Sequence, residues 1–210
     1  MTLLDLLVVL AVIGVLAAMI MPALTKAKAH DSRIQCINNL KQIGLAYRIW
    51  EGNHGNQYPQ AICETNGGTM EFTTGANAFR HFQIMSNELS TPMILICPAE
   101  SDATRFVAKN FSNLSNRNLS YFVGVVENDS NANLILSGDH NLTNGTAVEN
   151  GILELTTNSP AGWTRKMHNK TGNTVLADGS VMQVNTSGLR VQVAITGLAT
   201  NRLQMPIVGP

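Results

Sequence analysis

The chain has 210 residues, no net formal charge and only 13% charged residues. That length suits one domain with an appendage, or a small two-domain protein. The charge balance argues against a polyanion-binding protein or an acidic tail, so no nucleic-acid partner is expected.

The first element is apolar. Asp5 precedes 19 residues, 6–24, that carry no charged or strongly polar side chain, and eleven of them are Leu, Ile or Val. As a helix this run spans about 28 Å, close to the hydrocarbon core of a bilayer. Its Leu, Ile and Val residues favour insertion by roughly 3–7 kcal/mol. A buried core helix would normally have a polar face. A signal peptide would have a shorter apolar run behind a basic leader. The nearest bases, Lys26 and Lys28, follow the run and would by themselves keep its C-terminal side cytoplasmic. Otherwise a basic leader has been removed, and Met1 is a processed terminus.

The helix is expected to continue to about Gly52. Ile34, Ile37, Leu40, Ile43, Tyr47 and Trp50 recur at helical spacing, and Gly52 and Gly55 supply stop signals. A helix of about 50 residues would measure roughly 75 Å, too long for a body of this size to enclose. One half must therefore protrude. Gly14 and Pro22 are weak points in that half, through low helix propensity and a missing backbone donor. The expected division is 1–25 as a membrane or filament-core helix, 26–52 as an amphipathic helix on the body, and 53–210 as the body itself.

The body is rich in Asn, Gly, Ser and Thr, a composition of turns and polar surfaces. Strands are expected at 70–74, 93–97, 120–127, 134–137, 174–177 and 181–185, and short helices at 76–89 and 189–198. Asp178-Gly179 between the last two strands is a hairpin signal. The fold class is α+β, a long helix on a small antiparallel sheet with loop-rich insertions.

Cys36, Cys63 and Cys97 form no CxxC pair and no zinc-type spacing with His, so a structural metal is not expected. One disulfide with a free thiol would suit an exported protein, and three thiols a cytosolic one. His168 and Asp178 could form an acid–base pair, with Asp139-His140 as a second acid and imidazole. No nucleophile has a recognisable setting, however. The expected arrangement is an Asp178-Gly179 turn whose backbone bonds to His168. Asn-x-Ser/Thr triplets at Asn110, Asn113, Asn118, Asn128, Asn141, Asn144, Asn169 and Asn185 suit an exposed outer surface.

"MTLLDLLVVLAVIGVLAAMIMPAL" resembles the mature N-terminus of type IV pilins and type II secretion pseudopilins. Thr2, Leu3, Gly14 and Pro22 fall on matching positions, while Met1 stands where the family has Phe and Asp5 where it has Glu. With "RIQCINNLKQIGLAYRIW", "ILICPAES" and the His-x9-Asp-Gly run His168 to Asp178-Gly179, the chain is similar to pilin-like proteins of planctomycete- and verrucomicrobia-type bacteria.

The resemblance implies a non-enzymatic filament subunit without a cofactor. Asp5 would pair with the amino terminus, here Met1, of a neighbouring copy, and the helix would be kinked or partly unwound between Gly14 and Pro22. It implies a Cys36–Cys97 disulfide, with Cys63–Cys97 as the lesser choice. Some pseudopilins hold calcium, which would involve Asp139 or Asp178, although the spacing here matches no known loop. Implied partners are other copies of the chain, the inner membrane before assembly, a prepilin peptidase and an assembly machinery. The finished filament would be extracellular or periplasmic. The reading from another class is a membrane-anchored periplasmic enzyme or ligand-binding domain using His168 and Asp178.

Overall fold

The computed structural model describes residues 3–126 and 131–208, apart from the side chains of residues 4, 5 and 23. Met1, Asn128 and the side chain of Asp5 therefore lie outside the described residues.

Helix α1, Leu3–Asn53, runs for 51 residues and bends at residue 23. Of the two outcomes expected between Gly14 and Pro22, the structure has the kink, at residue 23, and not the unwinding. Pro22 removes the donor that would reach Ala18, and Thr25 Oγ1 donates to the Met21 carbonyl at 3.0 Å. A missing donor and a hydroxyl back-bond in adjacent turns bend a helix. The flanking Leu, Ala and Met residues are strong helix formers and carry it past the defect.

The second half of α1 buries Cys36, Leu40, Ile43, Ala46, Tyr47 and Trp50. Ile34 is exposed and Ile37 half-buried, so the packed stripe begins two residues later than its apolar spacing suggests. The apolar core of the body begins at Cys36, and ahead of it α1 meets the body through polar contacts such as Arg33 to the His168 carbonyl.

The body is built on a six-stranded antiparallel sheet. Its strands are β1 (Tyr121–Gly124), β2 (Ile135–Asp139), β4 (Ile152–Leu155), β6 (Thr171–Leu176), β7 (Val181–Asn185) and β8 (Asn201–Gln204). They lie in the order β4-β8-β1-β2-β6-β7. Strands β3 (Leu142–Thr143) and β5 (Gly162–Trp163) make a separate pair. Alternate side chains feed two cores, as a pleated strand requires. Tyr121, Val123, Leu136, Val175 and Ala177 pack with α1, while Phe122, Ile135 and Leu176 pack with α4 (Thr186–Ile195) through Leu189 and Val193.

The β6–β7 hairpin turns at Asp178-Gly179, with Gly179 at φ +83°, a left-handed conformation that favours glycine. Two expected strands are helical turns instead. Met70–Phe72 and Pro92–Leu95 are 3-10 turns. At the second, Pro92 starts the turn and Thr91 Oγ1 accepts from Met93 N at 3.3 Å, so local capping overrides the apolar run. The expected helix at 76–89 is two pieces, α2 (Ala78–Ile84) and α3 (Ser86–Leu89). Helix α4 begins three residues early because Asn185 caps it, accepting from Gly188 N at 2.8 Å.

At Gly44, α1 lies close against strand β6 of the sheet. A Cβ there would meet Val175 Cγ2 at 2.6 Å. Gly44→Ala is expected to destabilise the body by about 1–2 kcal/mol, overpacking outweighing the gain in helix propensity. Denaturant unfolding checks this, since propensity alone would make the variant more stable.

Candidate functional site

Two features stand out, an uncovered stalk and a buried polar cluster at its base. Along residues 6–24 every large apolar side chain is 52% to 69% exposed. Nothing else in the described residues packs on this stretch, which is long and apolar enough to cross a membrane. It suits membrane anchoring or a signal sequence.

Where the stalk enters the body, Cys36 and Cys97 are joined by a disulfide with Cα atoms 5.1 Å apart. Cys63 is left as a half-buried free thiol. The pair ties α1 to the segment after the Pro92–Leu95 turn, and both sulfurs are buried. Beside it, His168 Nε2 lies 3.4 Å from Cys97 Sγ and 3.5 Å from Asp139 Oδ2.

Asp139 ends β2 and is fully buried. Its Oδ2 accepts from Asn173 N at 2.7 Å and Asn173 Nδ2 at 2.9 Å, while Oδ1 has no hydrogen-bond partner among the described residues. Burial pushes its carboxyl up to about 7, against the pull of the Asn173 donors. His168 goes the other way, down to about 4, through burial and the nearby Arg33 guanidinium. Arg33 Nη2 and Thr171 Oγ1 both donate to the His168 carbonyl, at 2.9 and 2.7 Å, and fix the residue's position.

Next to the cluster, Glu100 Oε2 accepts from Ser120 Oγ at 2.7 Å and meets His140 Nε2 at 2.9 Å. Burial alone would raise the Glu100 carboxyl, but the hydrogen bond and charge of His140 prevail and hold it at about 2.

The residues singled out from sequence divide accordingly. His168 and Asp139 meet, whereas Asp178 sits on the exposed hairpin turn, where its Oδ1 accepts from Ser180 N at 2.8 Å. His168 precedes β6 and Asp178 follows it, so a strand length of about 20 Å separates them. His168 therefore does not bond to that turn, and the two cannot share a proton. The acids considered for calcium are separated in the same way, because Asp139 lies beside Asn173 at the start of β6. Asn118 and Asn141 are buried with their amides committed to backbone carbonyls, so they are not modifiable in the folded chain. Asn110, Asn113, Asn169 and Asn185 are exposed, and Asn144 is half-buried. Sequence reading missed Arg33, Glu100 and Asn173, which stand far apart in the chain without a motif.

A second buried histidine, His81, bridges Thr69 Oγ1 at 2.6 Å and Gln204 Oε1 at 2.7 Å. The amide oxygen only accepts, so Nε2 carries the proton and Nδ1 takes the Thr69 hydroxyl. Burial holds His81 near 4, below its ordinary 6.5. Its unfolded state thus binds a proton first as pH falls. Its contribution, on the order of 3 kcal/mol, is present above about pH 6.5 and lost toward pH 4. His168 acts in the same sense and Asp139 in the opposite one. Comparing wild type with His81→Gln isolates the His81 part, and the variant's unfolding free energy is expected to fall less steeply over that window, by about one proton.

Comparison with protein-family models, with curated proteins and with solved structures gives no match for this chain. The class is defined by the fold itself. A long apolar N-terminal helix packed on an antiparallel sheet is a pilin-like architecture.

Proposed function

We propose that the chain is a non-enzymatic structural subunit of a type IV pilus-like or pseudopilus filament, held together by its N-terminal helices. The observation that carries this reading is the stalk between residues 6 and 24, apolar all round and uncovered. A helix with one apolar stripe would be satisfied by one neighbour. A helix with no polar face needs either lipid or a bundle of several like helices around it.

Burying this surface away from water would contribute on the order of 10 kcal/mol per chain. Transfer from lipid to a bundle brings no such gain, because lipid tails are as apolar as leucine. Packing and polar contacts then decide assembly, and this is where Asp5 enters. Before assembly the stalk lies in the inner membrane after removal of a leader by a prepilin peptidase. After assembly the filament is extracellular or periplasmic, with the body facing outward.

The pair named in the enzyme reading, His168 and Asp178, stands about a strand length apart. Electron microscopy of the purified full chain tests the proposal. Helical filaments with the stalks on the axis are expected, and isolated molecules in detergent or vesicles under all assembly conditions would overturn it.

A further inference from the structure

We propose that, once its disulfide is reduced, the cluster at the base of the stalk is a binding site for one Zn2+, with Cys36, Cys97, His168 and Asp139 as the four ligands. These side chains come from α1, the segment after the Pro92–Leu95 turn, the loop before β6 and the end of β2. One donor atom from each lies within 4.8 Å of all the others. Zinc bonds of about 2.0–2.3 Å give a tetrahedron with edges of about 3.3–3.8 Å. The His168–Cys97 and His168–Asp139 distances, 3.4 and 3.5 Å, already fall in that range. The two sulfurs, bonded in the oxidised chain, must separate, and the remaining donors already lie within 4.8 Å of one another.

A disulfide alone needs neither an imidazole nor a carboxylate against it, and burying both costs hydration. A tetrahedral cation makes use of both. The donor set is two thiolates, one imidazole and one carboxylate, which suits zinc and not the oxygen-seeking calcium or magnesium.

The surroundings fit as well. Two thiolates, one carboxylate and Zn2+ sum to one negative charge, and Arg33 lies close enough to act electrostatically on both His168 and Asp139. Outer hydrogen bonds hold the ligand groups of Asp139 and Cys97, and the His168 backbone is fixed. Asn173 holds Asp139, Ala99 N donates to Cys97 Sγ at 3.4 Å, and Arg33 and Thr171 anchor the His168 backbone.

The chemistry balances with a dithiol as reductant. The dithiol gives two electrons and two protons to the Cys36–Cys97 bond and becomes a cyclic disulfide. Zn2+ then displaces the two thiol protons, which leave to solvent. Oxidation of the bound thiolates by a disulfide reverses both steps and releases the metal. The chain thus carries either the cross-link or the cation.

The test uses the full chain in detergent with Cys63→Ser, so that the remaining thiol is silent, and Co2+ as a spectroscopic probe. Phosphine-reduced protein is expected to bind about one Co2+ per chain with thiolate charge-transfer and intense tetrahedral bands, and Zn2+ to bleach them. Oxidised protein is expected to show neither. His168→Ala and Asp139→Asn should each weaken binding by at least about tenfold. Circular dichroism follows the fold throughout. Absence of the charge-transfer band in reduced protein overturns the proposal, and so does equal affinity in the His168 and Asp139 variants. A reduced chain that unfolds and is not refolded by Co2+ overturns it too. Filament images are unaffected by these outcomes, so this site and the assembly reading stand or fall separately.

Discussion

Asp5→Ala is expected to yield no filaments while the chain still accumulates, folded, in the membrane fraction. The cause is electrostatic. In a bundle of stalks the carboxylate would sit at the edge of an apolar axis, where an unpaired charge loses several kcal/mol of hydration. Close pairing with the ammonium of a neighbouring chain offsets that loss. Apolar contacts alone say little about the height at which one stalk meets the next, so in the proposed filament the pair would set the register. Removing one partner of a buried pair costs about 3–5 kcal/mol, or roughly a hundred- to several-thousandfold in each contact's association constant.

Asp5→Glu keeps the charge, at the length the resembling pilins use, and should restore filaments. Counting free thiols checks that the body is intact, because only Cys63 should react. Negative-stain images showing normal filaments from Asp5→Ala would remove the carboxylate from the assembly mechanism.

The second large effect concerns the cross-link. Cys36 and Cys97 are 61 residues apart in sequence, and closing a loop of that length restricts the unfolded chain by about 4 kcal/mol. The double variant Cys36→Ala/Cys97→Ala should therefore unfold at markedly lower denaturant with a similar slope. The comparison is made under oxidising conditions with chelator present, so that metal plays no part. A loss under about 1 kcal/mol would mean that the packing of α1 on the sheet suffices without the bond.

Much of this architecture is legible in the chain itself. The apolar run and the helical recurrence from Leu40 to Trp50 foretell α1, and Asp178-Gly179 foretells the β6–β7 hairpin. Both signals are local. Strand β8 is not legible in the sequence because Asn201–Gln204 alternates weakly, and its partners β1 and β4 lie far back in the chain. The segment at 93–97 misled for the opposite reason, since an apolar composition was overruled by Thr91 and Pro92 one residue upstream.

The cluster shows the limit more sharply. His168 stands out in the sequence by its spacing to Asp178, yet its neighbours are Cys97 and Asp139. Those contacts follow from β2 pairing with β6 and from α1 lying across them, and no short motif encodes that.

The place of the Cys36–Cys97 bond has a mechanical consequence. Cys36 is the first fully buried residue of α1 as it comes in from the stalk. Tension applied along the stalk meets the half-buried Arg33, bonded to the His168 carbonyl, and then a covalent joint before it reaches any other fully buried side chain of α1. From Cys97 the strain passes along the backbone to Leu95, whose carbonyl accepts from Ser120 N at 2.8 Å, and so into the sheet at β1. A pulled subunit would resist as one piece, because the helix cannot be peeled from the sheet turn by turn while that joint holds.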